Sequence, residues 1–274
     1  MDQKQIRSTL LGVSLITLAL VVLLAPPTSA IEWTSFEAGA HGYPEMRDIA
    51  GRRMADGDFT QWIANDRLHV RIVYDFDGGR QVVEEAVFRQ HPELAQESWS
   101  FTDLQGKKPS RAFTIDFRTG AASAMKIEKG ETKHWSEMLD TSGGQTFAGF
   151  GFSLAIKALR ARLIKGETVT LKGIGFAPKP QAVSVELSYA GRDRIRMAGR
   201  TIAGDHFRVH PKIPAIAKLF VTVPDAHIWL TTTPAGFLRY EGAMAEPGDQ
   251  IIRVDFLPGG ESEAARPVAT SGKK

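Results

Sequence analysis

The sequence predicts a mainly β protein, a strongly curved antiparallel sheet with one amphipathic helix packed in its concave side. Three observations carry this. Apolar and polar residues alternate in short runs from Leu68 to Leu257, the pattern of half-buried strands. Turn residues punctuate these runs roughly every 10 to 15 positions, the spacing of a meander. Only 151–165 repeats its apolar residues at helical intervals.

Residues 31–57 mix aromatic, Gly and charged residues without a period, so an irregular lead-in is expected, with a short helix over 46–53. The single β domain is expected to span 58–258. Leu68–Phe76 alternates, and Asp77-Gly78-Gly79 makes a hairpin turn, since glycine supplies the positive φ such turns need. Residues 81–89 return as the partner strand. Further strands are expected at 97–103, 111–117, 124–128 and 131–135, the second closed by a turn at Thr119-Gly120. Phe152, Ile156, Leu159 and Leu163 then line one face of a helix, which Gly166 ends. Lys157, Arg160, Arg162 and Lys165 lie between them and are expected to form a solvated face. Strands resume at 167–176 and 182–189, with a turn at Gly191-Arg192-Asp193, then 194–198 and 206–210. A Pro-started helix or loop at 211–218 precedes strands at 219–223, 226–231, 237–241 and 251–257. Residues 259–274 read as a disordered tail.

Lys4 and Arg7 precede an apolar run from Leu10 to Ala25, and Thr28-Ser29-Ala30 follows. These are the three regions of a secretory signal, so residues 1–30 are expected to direct export to the periplasm. Either cleavage leaves a mature end near Ile31, or the segment stays as an anchor in the inner membrane. In the second case that segment makes the membrane contact. Lys+Arg 34 minus Asp+Glu 31 gives +3 over 274 residues, no footprint for nucleic acid. The chain has no cysteine, which excludes disulfides, thiol nucleophiles and thiolate-bound metal.

No phosphate loop, serine elbow or zinc-protease motif is present, and no catalytic residue or cofactor is expected. His206, His210 and His227 invite a metal reading, but Arg208 falls between the first two, and spacing alone provides no converging ligand set. The aromatic residues are more suggestive. Trp99, Phe113 and Trp229 on strands, with Phe152, Ile156 and Leu159 on the helix, are expected to share the concave face. There they either fill a core or line room for an apolar ligand.

Gly166–Gly175, Ala182–Tyr189 and the run from Asp225 to Gly242, with its Ile-Trp-Leu strand and Leu-Arg-Tyr strand, resemble an uncharacterised family of exported bacterial proteins. That family's fold is similar to the half-barrel of the periplasmic lipoprotein carriers LolA and LolB. The resemblance covers mainly 166–257. It implies a curved sheet with a helix in its mouth and a hydrophobic, lipid-like ligand, and it transfers no catalytic residue. The expected function is therefore binding or shuttling of an apolar molecule in the envelope. The alternatives are a scaffold or interaction domain with a filled core and an envelope protein partner, or a metal- or carboxylate-dependent hydrolase.

Overall fold

The computed structural model describes residues 31, 36–143, 145–197, 199–212 and 223–256. The expected signal segment, the tail and most of the expected helix or loop at 211–218 and strand at 219–223 lie outside the described residues; Pro211 and Lys212 belong to a strand instead.

The chain forms one large antiparallel sheet, curved and unclosed, around one helix. Its strands are β1 (Ala40–Gly42), β2 (Glu45–Asp48), β3 (Arg53–Ala64), β4 (Arg67–Phe76), β5 (Arg80–Arg89), β6 (Ala95–Gln105), β7 (Lys108–Asp116), β8 (Ala121–Glu128) and β9 (Glu131–Met138). After β10 (Thr146–Phe147) comes α1 (Gly151–Ile164). Then follow β11 (Val169–Phe176), β12 (Pro180–Met197), β13 (Arg200–Lys212), β14 (Ala226–Thr231), β15 (Phe237–Ala243) and β16 (Ile251–Asp255).

Two meanders, β2 to β9 and β11 to β16, are joined side by side by antiparallel pairing of β16 with β2, where Val254 faces Met46. The exception to the antiparallel pattern is β10, which runs parallel to β11. The sheet curls far enough for its ends to meet across polar contacts. Lys179 approaches Glu137 of β9 at 3.7 Å, and Lys172 of β11 reaches Asp140 at 2.8 Å.

Alternation decides which residues enter the core. Leu68, Val70, Ile72 and Tyr74 of β4 point inward, as do Trp99 and Phe101 of β6 and Phe113 and Ile115 of β7. The turn at Asp77-Gly78-Gly79 forms as expected, with both glycines at φ +79°.

Three expectations are corrected. Residues 31–57 hold β1, β2 and the start of β3 instead of an irregular lead-in. No helix forms at 46–53, because Met46 and Asp48 alternate inward and pair with β16. The boundary at 58 therefore falls inside β3. Gly191-Arg192-Asp193 is not a turn. The register shifts between Tyr189 and Gly191, a bulge that bends β12 while it runs on to Met197.

Candidate functional site

The helix is the element that the sheet is built around, and its mount combines a buried apolar face with polar contacts at its start and along its flank. Leu154, Ala155, Ile156 and Leu163 are fully buried and Leu159 is 2% exposed. They lie among the sheet's inward aromatics, where Phe113 stacks on Phe176 at 4.6 Å and Trp99 stacks on Phe176 at 5.6 Å. At the start of α1, Oε1 of Glu84 accepts hydrogen bonds from Phe150 N and Trp99 Nε1, both at 2.7 Å. Gln96 accepts from Ala148 N at 2.8 Å and donates to Ala148 O at 3.2 Å. The carboxylate thus takes a free amide and favours the positive end of the helix dipole. Burial raises Glu84 above the ordinary glutamate pKa, and the two donated hydrogen bonds oppose the rise. The approach is close enough to require glycine at 149, where φ is +51° and a Cβ would overlap Glu84 Oε1 and Trp99 Nε1.

Of the basic residues expected to form a solvated face, Arg162 and Lys165 are exposed, whereas Lys157 and Arg160 turn to buried partners. Lys157 pairs with Glu37, and both side chains are largely buried. Arg160 bonds Asp205, which is fully buried on β13, and donates to Thr232 O at 3.1 Å. Arg192 holds the other oxygen of Asp205 at 3.0 Å. Arg162 and Glu167 pair at the exposed end. The counter-ions of Lys157 and Arg160 come from elements distant in sequence, so a window along the helix does not contain them.

Of the six residues expected to share the concave face, the structure brings five together. Trp99, Phe113, Ile156 and Leu159 are buried there, and half-buried Phe152 packs beside Phe147 with ring centres 6.3 Å apart. Trp229 is the correction. It lies on the outer face in a satellite cluster with Ile195, Met197 and Leu238, while Ile228 and Leu230 enter the main core. Ile228-Trp229-Leu230 is apolar throughout, so both parities fit an inward strand. The signal that decides is His227, which shares the parity of Trp229 and marks that face as the polar one.

Around Trp229 the histidines are already engaged. His206 stacks on Trp229 at 4.2 Å, contacts His227 through ring nitrogens 2.8 Å apart and approaches Asp193 at 3.1 Å. Trp229 Nε1 donates to Asp193 at 2.8 Å. Burial lowers the His206 pKa, with Asp193 opposing. His210 is bound to Asp225 at 2.6 Å. The three histidines therefore split into two groups. Among the described residues no set of three or more His, Asp or Glu is placed to hold a metal ion.

Two depressions lie on the outer side of β3 to β9. One of about 570 Å³ is lined by Trp62, His69, Val87, Ser98, Ser100 and Thr114, and a neighbour of about 380 Å³ by Thr114, Ser123, Ser136 and Met138. Among the described residues no helix is long and apolar enough to cross a membrane.

A different set of charges closes one end of the interior. Arg111 of β7 donates to Glu246 at 2.6 Å and Asp249 at 2.8 Å, and lies 3.5 Å from Asp103. Arg80 holds Asp103 at 2.8 Å, and Lys126 reaches Glu246 at 3.1 Å. Three cations meet three carboxylates, so the group is charge-balanced where it is buried. Sequence reasoning missed this network, since Arg111 and Glu246 are 135 residues apart.

No family model matches the chain, and no curated protein matches it. Among solved structures it is similar to the hypothetical lipoprotein YmcC from Escherichia coli (K12), at 10% identity over 81% of this chain and 86% of that one, with a TM-score of 0.39. It is also similar to a beta-barrel-like protein of domain of unknown function DUF1849 from Brucella abortus, at 7% identity over 81% of this chain and 98% of that one, with a TM-score of 0.46.

Proposed function

We propose that this protein is an interaction domain of the bacterial envelope, exported by its N-terminal segment, which works through its outer surface. The observation that carries the reading is the occupied concavity. Leu154, Ala155, Ile156 and Leu163 are fully buried against the sheet, and α1 is pinned at its start by Glu84 and Gln96 and along its flank by Glu37 and Asp205. A helix held by buried ion pairs is a fixed core element, because withdrawing it would strand those charges.

One observation favours a second reading, the carrier of an apolar ligand that the resemblance to the lipoprotein carriers implies. Phe152, Phe237 and Phe256 are half-buried around the start of α1, where Phe150 meets Phe237 at 4.6 Å. They would line a passage if the helix moved.

Titration with a fluorescent fatty acid separates the two. The interaction-domain reading expects no saturable binding. Stoichiometric binding that weakens in Phe152→Ala would overturn it and install the carrier.

A further inference from the structure

The β12–β13 hairpin overreaches the sheet. β11 stops pairing at Val169 opposite Leu187, and β14 stops at Thr231 opposite Gly204. Beyond those points Arg194–Met197 pair only with Arg200–Ala203, so among the described residues the end of the hairpin is a two-stranded ribbon flanked by no other strand. Its sequence is dense in arginine. Arg192, Arg194 and Arg196 fall on one face by period 2, Arg200 lies on the other beside the turn, and all four are exposed. Nearby carboxylates are already committed. Asp205 is held by Arg160 and Arg192, and Asp193 by His206 and Trp229. Among the described residues no acidic side chain pairs with Arg194, Arg196 or Arg200. Most of the described arginines are ion-paired, and three without an acidic partner gather at the exposed end of this hairpin. The ribbon is also firmly mounted, with Ile195 and Met197 buried against Trp229 and Leu238.

We infer that this arginine ribbon docks the protein on an anionic phospholipid surface. The guanidinium fork matches phosphate oxygens and is weakly hydrated, so it exchanges water for phosphate readily. The shape selects a plane over a peptide. The arginines sit on both faces of the ribbon's exposed end, so a broad charged surface meets more of them at once than a single extended chain does. This names a partner for the interaction domain and rests on that reading for its role. The contact itself holds whatever the interior contains.

The test is co-sedimentation of the full chain with vesicles of phosphatidylglycerol and phosphatidylcholine, compared with phosphatidylcholine alone. The zwitterionic vesicles report what the N-terminal apolar run contributes. Expected is stronger binding to the anionic vesicles, falling as salt is raised. Replacing Arg194, Arg196 and Arg200 together by serine should lower that binding by about a hundredfold, roughly fivefold per arginine, with Trp229 emission unchanged. Lys107→Ser with Lys108→Ser, on the exposed β6–β7 turn, should leave it unaltered. Equal binding to both vesicle types overturns the proposal. So does a triple variant that binds like the parent, or a lysine variant that loses as much. Saturable fatty-acid uptake would sink the interaction-domain reading while leaving the vesicle result in place, so the two failures are distinguishable.

Discussion

Glu84 sits where one side chain sets both the start of the helix and a pH response. Its carboxyl is raised above the ordinary glutamate value because burial penalises the charge. A raised acid holds its proton more tightly in the fold than in the unfolded chain. Its contribution to stability is therefore complete below the ordinary glutamate value, and is lost as pH rises through the raised one. Glu84→Gln keeps an oxygen for Phe150 N and Trp99 Nε1, which both bond the same atom, and removes the ionisation. The stability of the parent relative to this variant should fall as pH is raised from about 4 to 7, measured by urea denaturation at each pH. A constant difference would show that Glu84 does not titrate in this range. That Glu84 and not Glu85 turns inward was only half legible. Val82, Ala86 and Phe88 share the parity of Glu84, but Val83 and Val87 share that of Glu85, so β5 reads apolar on both sides. The surroundings choose, because the interior offers two N–H donors and the outside offers Arg71, which pairs with Glu85.

At the scale of elements, α1 was the most legible part of the chain and its polar mount the least. The stripe of Phe152, Ile156, Leu159 and Leu163 is local, so period 3.6 reveals it and the structure places it on the sheet. Leu159 is 2% exposed, and its truncation leaves a cavity that a closely packed aromatic sheet closes poorly. Leu159→Ala should therefore cost about 2–5 kcal/mol in chemical denaturation, and a loss below about 0.5 kcal/mol would make the helix peripheral. Asp205 belongs to the part that sequence does not display. Asp205-His206 reads as a polar step on a strand, yet Asp205 is fully buried and joins α1 to β12. Nothing local distinguishes it, since both its partners arrive through the fold. The strands follow the same division. Their existence follows from alternation, whereas the passage through Gly191-Arg192-Asp193 depends on β13 continuing alongside. A bulge and a turn share that local chemistry, and only the partner strand separates them.

For the whole molecule the open question is whether the two meanders are one cooperative unit. The short join of β16 to β2 is four residue pairs wide, which alone is a weak tie. Beyond the contacts of Lys172 with Asp140 and Lys179 with Glu137, two further ties cross between the halves. Core residues of both pack on α1, and the Arg111 network binds β7 to the loop between β15 and β16. Arg111 is the discriminating position, because removing it leaves buried Glu246 with only Lys126 and takes the guanidinium from half-buried Asp249. Arg111→Ala should cost about 3–5 kcal/mol, the penalty of a buried charge without its partner. If the sheet is one unit, that loss belongs to the whole molecule, although the substituted residue sits in the first meander. Hydrogen exchange measured across a urea series reads this directly. Amides of β5 to β7 and of β12 to β14 should lose protection at a common midpoint in the parent, and at a common lower midpoint in the variant. If the variant lowers the midpoint of one meander and leaves the other in place, the β16–β2 join is a domain boundary.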